Sequence, residues 1–344
     1  MYIVCFMKAF VVTAPLTSGV QDVKEPSAGP GQVVVDVTRV GVCGTDVEFF
    51  TGEMAYLHSG HEKYPLRLGH EWCGVISEVG EGVDKKHLGK RVTGDTMLGC
   101  GNCYRCKNSR QHVCENRFEI GIRNGWAGAL AEKLLVPFTA IHFLPDSIND
   151  TVGALIEPGG NSLRAAEAAL SGPGKKVLVW GSGTIGLLTA QFASFMGAYV
   201  HVIGRNPQTL SLAKQMGASS VSSDFEEIDE GFDAVIDCTF DKDVPNKAIK
   251  YVEPGGRVVY IGISGVPSLI DSRDLVLKDV TAVGILSASP GLEGTIHTYA
   301  SGKIDPSLIV AATVGLSETS NVLAGKRPSG AGIGPKIHID PRKD

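Results

Sequence analysis

The chain has 344 residues, 43% hydrophobic, 20% charged and 7% aromatic, with a formal net charge of −5. That length exceeds what one hydrophobic core usually organises, so two domains are expected. The mildly acidic balance leaves no basic footprint for nucleic acid or an anionic membrane, and no apolar run approaches the ~20 residues of a membrane span.

The first residues, Met1–Met7, are apolar but lack a basic flank and a small-residue cleavage site, so they do not read as an export signal. Lys8–Val12 reads as a first strand whether translation starts at Met1 or Met7. Apolar and polar residues then alternate in Gln32–Thr38, Cys73–Val79 and Ala131–Val136, between glycine and proline clusters. This is short antiparallel strand material, and it predicts a mostly-β domain over 1–157 with long loops between strands.

After Pro158 the pattern changes. Ser162–Ser171 is alanine-rich and helical, and Lys175–Trp180 is a buried strand running into a glycine-rich turn. Helices at Ile185–Met196 and Gln208–Met216 alternate with strands at Tyr199–Ile203, Ala234–Asp237, Arg257–Ile261 and Val280–Val283. Such alternation predicts a doubly wound parallel sheet over 158–292, and the whole is an α/β protein. From 293 the alternation fades, and Pro335–Ile339 reads as a strand of the earlier kind. The segment 293–344 is therefore expected to rejoin the first domain.

Eight cysteines are present, and Cys100, Cys103, Cys106 and Cys114 crowd onto one loop. Four thiolates at that spacing close a tetrahedron around zinc and leave no open position, which points to a structural metal. With no export signal, clustered cysteines favour metal binding over disulfides and place the protein in the cytoplasm. A second donor set is dispersed. Cys43 offers a thiolate, His70 an imidazole beside Glu71, and Glu157 a carboxylate at the domain junction. Cys, His and Glu with one open position suit a catalytic zinc, and Asp46 is expected to hold the His70 ring from behind.

Gly181-Ser-Gly183-Thr184-Ile185-Gly186 follows a strand and opens a helix. In that context the glycines let the backbone approach a dinucleotide pyrophosphate resting on the helix N-terminus. The next strand ends in Gly204-Arg205, without the carboxylate that an NAD ribose wants. A glycine removes bulk and a guanidinium binds a 2′-phosphate, so NADP is favoured over NAD. The alternative is that Arg205 stacks over the adenine and both cofactors are accepted.

Together these motifs resemble the zinc-containing medium-chain dehydrogenase family, which includes alcohol, sorbitol, threonine and glucose dehydrogenases. The resemblance runs from Lys8 to Pro341. It implies a GroES-like catalytic domain carrying two zincs, one catalytic and one structural, and a Rossmann domain. It further implies Cys43, His70 and Glu157 as ligands of the catalytic zinc, with Glu71 as a neighbouring carboxylate that approaches the metal in some relatives. Thr45 matches the hydroxyl that relays the substrate proton. Where many relatives have a relay histidine, this chain has Glu48. The segments around Gly262 and Ile285-Leu286 would contact the nicotinamide end through backbone groups. The implied reaction is hydride transfer between NAD(P) and an alcohol or carbonyl compound, with a tilt toward polyols, sugars and other secondary alcohols. Domains would close over a dry cleft, and the protein would be a homodimer or homotetramer. The loop ahead of His70 carries His58, His61 and Glu62, which either line the substrate mouth or are solvated; Trp126 either walls the pocket or packs in the core. The rivals are a zinc-independent quinone or alkene reductase and an inactive nucleotide-binding structural protein, both disfavoured by the two intact donor sets.

Overall fold

The computed structural model describes residues 5–223 and 231–343. Met1–Val4, part of the apolar start weighed as a leader, lies outside them. The chain divides into two compact units, the first made of Met1–Glu157, Val310–Gly332 and Lys336–Asp344, the second of Pro158–Ile309 and Ile333–Pro335.

In the first unit, Gln32–Gly41 is the central strand. Its valines alternate across the pleat and are almost wholly buried. It pairs antiparallel with Glu71–Val79, Lys133–Pro137 and the C-terminal strand Lys336–Ile339. The sheet extends through Arg91–Gly94 to Ile141–Phe143 on one side and through Lys336–Ile339 to Val310–Val314 on the other. Phe10, Phe49, Leu68, Trp72 and Ile76 fill the core beneath it. Each contributes about 1.5–3 kcal/mol by leaving water. A hairpin of Phe6–Ala14 and Thr17–Lys24 forms its own two-stranded sheet, joined to the rest of the unit by backbone bonds of Phe10 to Leu130 and of Val12 to Leu66.

The second unit carries six parallel strands in the order Ser220–Ser222, Tyr199–Ile203, Lys176–Trp180, Phe232–Asp237, Val252–Tyr260, Thr281–Gly284. Val177, Leu178, Val179, Val235, Ile236, Val258 and Val259 are fully buried, as expected of strands covered on both faces. The order reverses beside Lys176–Trp180, the place where doubly wound sheets bind dinucleotides.

The helix predicted from Ser162 begins earlier, at Ile156, and runs to Ala168. Pro158 is tolerated because it sits in the first turn, where its missing N–H has no intrahelical role. The return to the first unit also comes later than the predicted 293. Helix Leu292–Ala300 stays with the second unit, where the Tyr299 ring stacks on Phe192 at 5.5 Å and Ile309 is fully buried. The crossing occurs at Val310. Fading strand–helix alternation marked the end of the parallel sheet, not the end of its unit. Among the described residues no helix is long and apolar enough to cross a membrane.

Candidate active site

Cys43 stands at the N-terminal end of helix Gly44–Thr51. A thiolate there meets the positive end of the helix and its unpaired amides. Asp46, three residues on and fully buried, accepts the Cys43 N–H at 2.9 Å through one oxygen and the Gly69 N–H at 3.2 Å through the other. This carboxylate thereby ties the Cys43 turn to the residue preceding His70. Its expected role behind the imidazole is looser, since Oδ1 lies 3.8 Å from His70 Nδ1, beyond hydrogen-bond reach.

Cys43, His70 and Glu71 bring their ligand atoms within 4.8 Å of one another. His70 is buried, and its Nδ1 has no hydrogen-bond partner. Burial pulls the imidazole down, but a hydrogen bond to Cys43 and the charges of Asp46, Cys43 and Glu157 outweigh it and hold its pKa up at about 10. A ring so surrounded by anions marks a place where positive charge is strongly favoured. A thiolate, an orphaned imidazole nitrogen and carboxylates are also the donors zinc selects, so the residues fit that metal. Glu157, in the first turn of Ile156–Ala168 and buried, acts on His70 electrostatically but is outside the 4.8 Å group.

Glu71 is held by a residue that sequence reasoning missed. Lys336 Nζ donates to both Glu71 oxygens, at 2.8 and 2.7 Å, and to the Val42 carbonyl at 2.9 Å. Both side chains are 2% exposed. Burial works against the ammonium, but the charges of Glu71 and Cys43 raise its pKa above the usual lysine value. The available signal was a lysine in the short strand Lys336–Ile339, set between buried positions, because a buried lysine requires a buried acid.

Thr45 and Glu48 lie on the same helix, three residues apart and so on one face. Glu48 reaches solvent, and partial burial followed by the charge of Glu53 raises its carboxyl above the ordinary value. His58 and His61 are tied into their own loop, His58 to the Gly52 carbonyl at 3.1 Å and His61 to Ser59 Oγ at 2.7 Å. Trp126 is half-buried, with Nε1 donating to the Leu135 carbonyl at 3.0 Å.

The four-cysteine loop closes on itself. Cys100 and Cys106 sulfurs lie 4.0 Å apart, and those of Cys103 and Cys114 3.8 Å. Zinc–sulfur bonds of ~2.3 Å give a tetrahedral edge of about 3.8 Å, so the spacing suits a zinc ion held by four thiolates. Backbone amides of Asn102 and Cys103 point at Cys100 and lower its pKa to about 6.

In the second unit, Gly181 has φ +112°, and a Cβ on Gly186 would stand 1.8 Å from the Gly181 carbonyl. Both positions thus exclude side chains. A Cβ on Gly183 would meet nothing within 4 Å, leaving open space before the first amides of helix Thr184–Phe195, which include those of Thr184 and Ile185. Gly204 has a packing reason of its own, because a Cβ there would lie 2.0 Å from Ser182 Oγ. Arg205 is 88% exposed and pairs with Asp241 at 3.0 Å. The expected nicotinamide contacts are partly engaged elsewhere. The Gly262 N–H donates to the Asp237 carbonyl, the Ile285 N–H to that of Tyr260, and the Leu286 carbonyl accepts from Arg164. Among the described residues, the Ile285 carbonyl and the Leu286 N–H of that pair have no such bond to the backbone or to Arg164.

Replacing Lys336 with methionine leaves Glu71 buried without its counter-ion. Lys336→Met is expected to lower the unfolding free energy by about 3–5 kcal/mol, much of it recovered in the Lys336→Met, Glu71→Gln double variant. Denaturant titration reads both values. A loss under about 1 kcal/mol would show a solvated pair.

With this geometry in place, the resemblance to known proteins is specific. The alcohol dehydrogenase GroES-like domain family matches residues 29–146, and the zinc-binding dehydrogenase family residues 184–301. An L-threonine 3-dehydrogenase from Marinomonas sp. (strain MWYL1) is 32% identical over 277 residues, covering 77% of this chain and 79% of its own length. Another, from Rhizobium rhizogenes (strain K84 / ATCC BAA-868), is 28% identical over 341 residues, with 95% and 97% covered. A zinc-binding dehydrogenase from Sinorhizobium meliloti 1021, solved with NADP, shares 28% identity at a TM-score of 0.89, covering 98% of this chain and 100% of that one. The chain therefore belongs to the zinc-containing medium-chain alcohol dehydrogenase family and is an NAD(P)-dependent alcohol oxidoreductase.

Proposed function

We propose that the enzyme interconverts a secondary alcohol and its ketone, the alcohol being a polyol, a sugar or a hydroxy acid derivative, with NADP and with one catalytic and one structural zinc. The observation that carries this reading is the convergence of Cys43 and His70 at a helix N-terminus among buried carboxylates, separate from the four-thiol loop. Relatives named L-threonine 3-dehydrogenase support the substrate class, since that name places the reaction at a secondary hydroxyl.

Cys43, His70 and Glu157 would hold the catalytic ion, while Lys336 keeps Glu71 from joining them. When bound, zinc supplies Lewis-acid polarisation of the substrate oxygen. The remaining work falls to the chain. The Thr45 hydroxyl accepts the substrate proton, and Glu48, on the same helix face and open to solvent, carries it outward. Amides at the start of Thr184–Phe195 take the pyrophosphate, and the uncommitted backbone groups of Ile285 and Leu286 are left to orient the carboxamide. The zinc-free and inactive rivals leave both donor sets without a purpose. All eight cysteines are free, in keeping with a reducing compartment such as the cytoplasm.

Metal analysis and a screen of both cofactors across polyols, sugars, amino alcohols and simple secondary alcohols test the reading. Cys43→Ala should lose turnover to background and one of two zincs while retaining its melting temperature and dinucleotide binding. Cys103→Ala should lose the other zinc and melt at lower temperature. Full turnover in Cys43→Ala would overturn the catalytic assignment.

For the cofactor, wild type should favour NADP, and Arg205→Ala should raise the KM for NADP about tenfold, the equivalent of ~1.4 kcal/mol, with little effect on NAD. A wild-type preference for NAD would defeat this part.

Self-association is proposed through the outermost strand of the parallel sheet. Thr281 and Ala282 on that strand are exposed, and Ile263, Val266, Leu269, Val276 and Leu277 form an unusual run of exposed apolar residues just before it. A second copy pairing antiparallel across this edge gives a homodimer, and two such dimers a homotetramer. Sedimentation of Ala282→Pro, which removes a ladder amide from the edge, should show monomers; an unchanged assembly would place the interface elsewhere.

A further inference from the structure

On the first unit a cavity of about 320 Å³, whose lining includes none of Cys43, His70, Glu71 and Glu157, opens between the Phe6–Ala14/Thr17–Lys24 hairpin and the loops at 62–67 and 121–127. Its apolar wall is Val11, Val23, Pro65 and Trp126, and its charged groups are Arg67 and Glu62. The size is at the lower end of small-ligand sites, ~300–1,000 Å³.

The charges are arranged unusually. Arg91, Arg117, Arg205, Arg273 and Arg342 each pair with a carboxylate, although Arg205 is 88% exposed and Arg273 82%. Arg67 is more buried than those two, yet among the described residues no carboxylate oxygen lies within 4.0 Å of its guanidinium. Burial lowers its pKa, and no neighbouring charge opposes that effect. An opposite charge shares the same cavity but is held away. Glu62 Oε1 accepts the Lys63 N–H at 3.0 Å, and Oε2 accepts the Gly125 N–H at 2.8 Å. Those bonds fix the carboxylate and leave it with lone pairs to spare. Trp126 is likewise fixed, by its indole bond to Leu135 and by the Phe118 ring edge at 5.7 Å.

An uncompensated guanidinium in a cavity costs stability, and so it is the kind of feature retained for binding. A simple anion would satisfy Arg67 but meet Glu62, and a simple cation would do the reverse. We propose that this cavity binds a zwitterionic α-amino acid with an apolar side chain. Its carboxylate would pair with Arg67 and its ammonium with Glu62, and its side chain would lie against Trp126 and Pro65. The fixed charges and the apolar wall would then all be satisfied by one small molecule. The cavity shares no lining residue with the reacting centre proposed above, and the proposal does not require that reading to hold.

Calorimetric titration of the zinc-loaded enzyme tests it with three probes: L-leucine, 4-methylpentanoate, which lacks the ammonium, and 3-methylbutylamine, which lacks the carboxylate. L-leucine should bind saturably and at least tenfold more tightly than either analogue. Arg67→Met and Glu62→Gln should each weaken it tenfold or more. Arg67→Met should also leave kcat and KM for the alcohol unchanged and, without ligand, melt no lower than wild type, because it removes a buried charge that nothing balances. Absence of saturable L-leucine binding would overturn the proposal. So would equal affinity in Arg67→Met, or equal binding of 4-methylpentanoate.

Discussion

The buried pair of Lys336 and Glu71 is the constraint around which the first unit is arranged. Glu71 follows His70 directly, so any carboxylate there is carried into the interior with the imidazole. An ionised acid at 2% exposure persists only with a full counter-charge and satisfied lone pairs. Lys336 supplies both, and it arrives on the last strand of the chain. That strand pairs beside Gly41, whose missing side chain is also required, since a Cβ there would stand 2.1 Å from Glu71 Oε2. The C-terminal return is thus an electrostatic necessity as well as a packing preference. Without it the acid beside His70 would be uncompensated.

Two thiol sites in one unit solve different problems. Cys43 is placed by a helix end, with Asp46 fastening its turn to Gly69, so protein contacts position its sulfur and the His70 ring. The 100–114 loop has almost no core of its own, and only Cys114 among its residues is fully buried. In the proposed reading, zinc held by four converging sulfurs would take the place of the hydrophobic contacts that this short segment cannot make. The cluster most conspicuous in the sequence is therefore the one read as structural, and the dispersed donors converge only through the fold.

How much of this was legible in the sequence follows from the range of each interaction. The parallel sheet and the crowding of four cysteines are local patterns, and the structure shows both the sheet and the convergence of the sulfurs. Lys336 and Glu71 are separated by most of the chain, so neither one's neighbours reveal the pair. Asp46 was read as a partner of His70 because of its position in the motif; its charge does act on the ring from 3.8 Å, while its hydrogen bonds go to two backbone amides. Gly204 was read as space for a phosphate, but Ser182 already requires a glycine there. The unit boundary at Val310 was missed because helix Leu292–Ala300 docks through Tyr299 on Phe192, a contact that secondary-structure alternation does not encode. Arg67 carried no signal at all, since its isolation is a property of the cavity and not of the residues beside it in sequence.

The same range argument bears on cofactor choice. With Gly204 explained by packing, the proposed preference for NADP rests on Arg205, which pairs with Asp241. An ion pair so open to solvent stabilises by about 0–1 kcal/mol, screened further by salt. A 2′-phosphate brings up to two negative charges and several acceptor oxygens, enough to draw the guanidinium from a single carboxylate. A ribose hydroxyl offers Arg205 no such replacement, so with NAD the pair with Asp241 would remain and the cofactor would bind without its help. Selectivity built this way depends on a difference of one or two charge-assisted bonds at the surface. It should therefore be graded and sensitive to ionic strength, unlike the proposed catalytic centre, where burial makes each charge decisive.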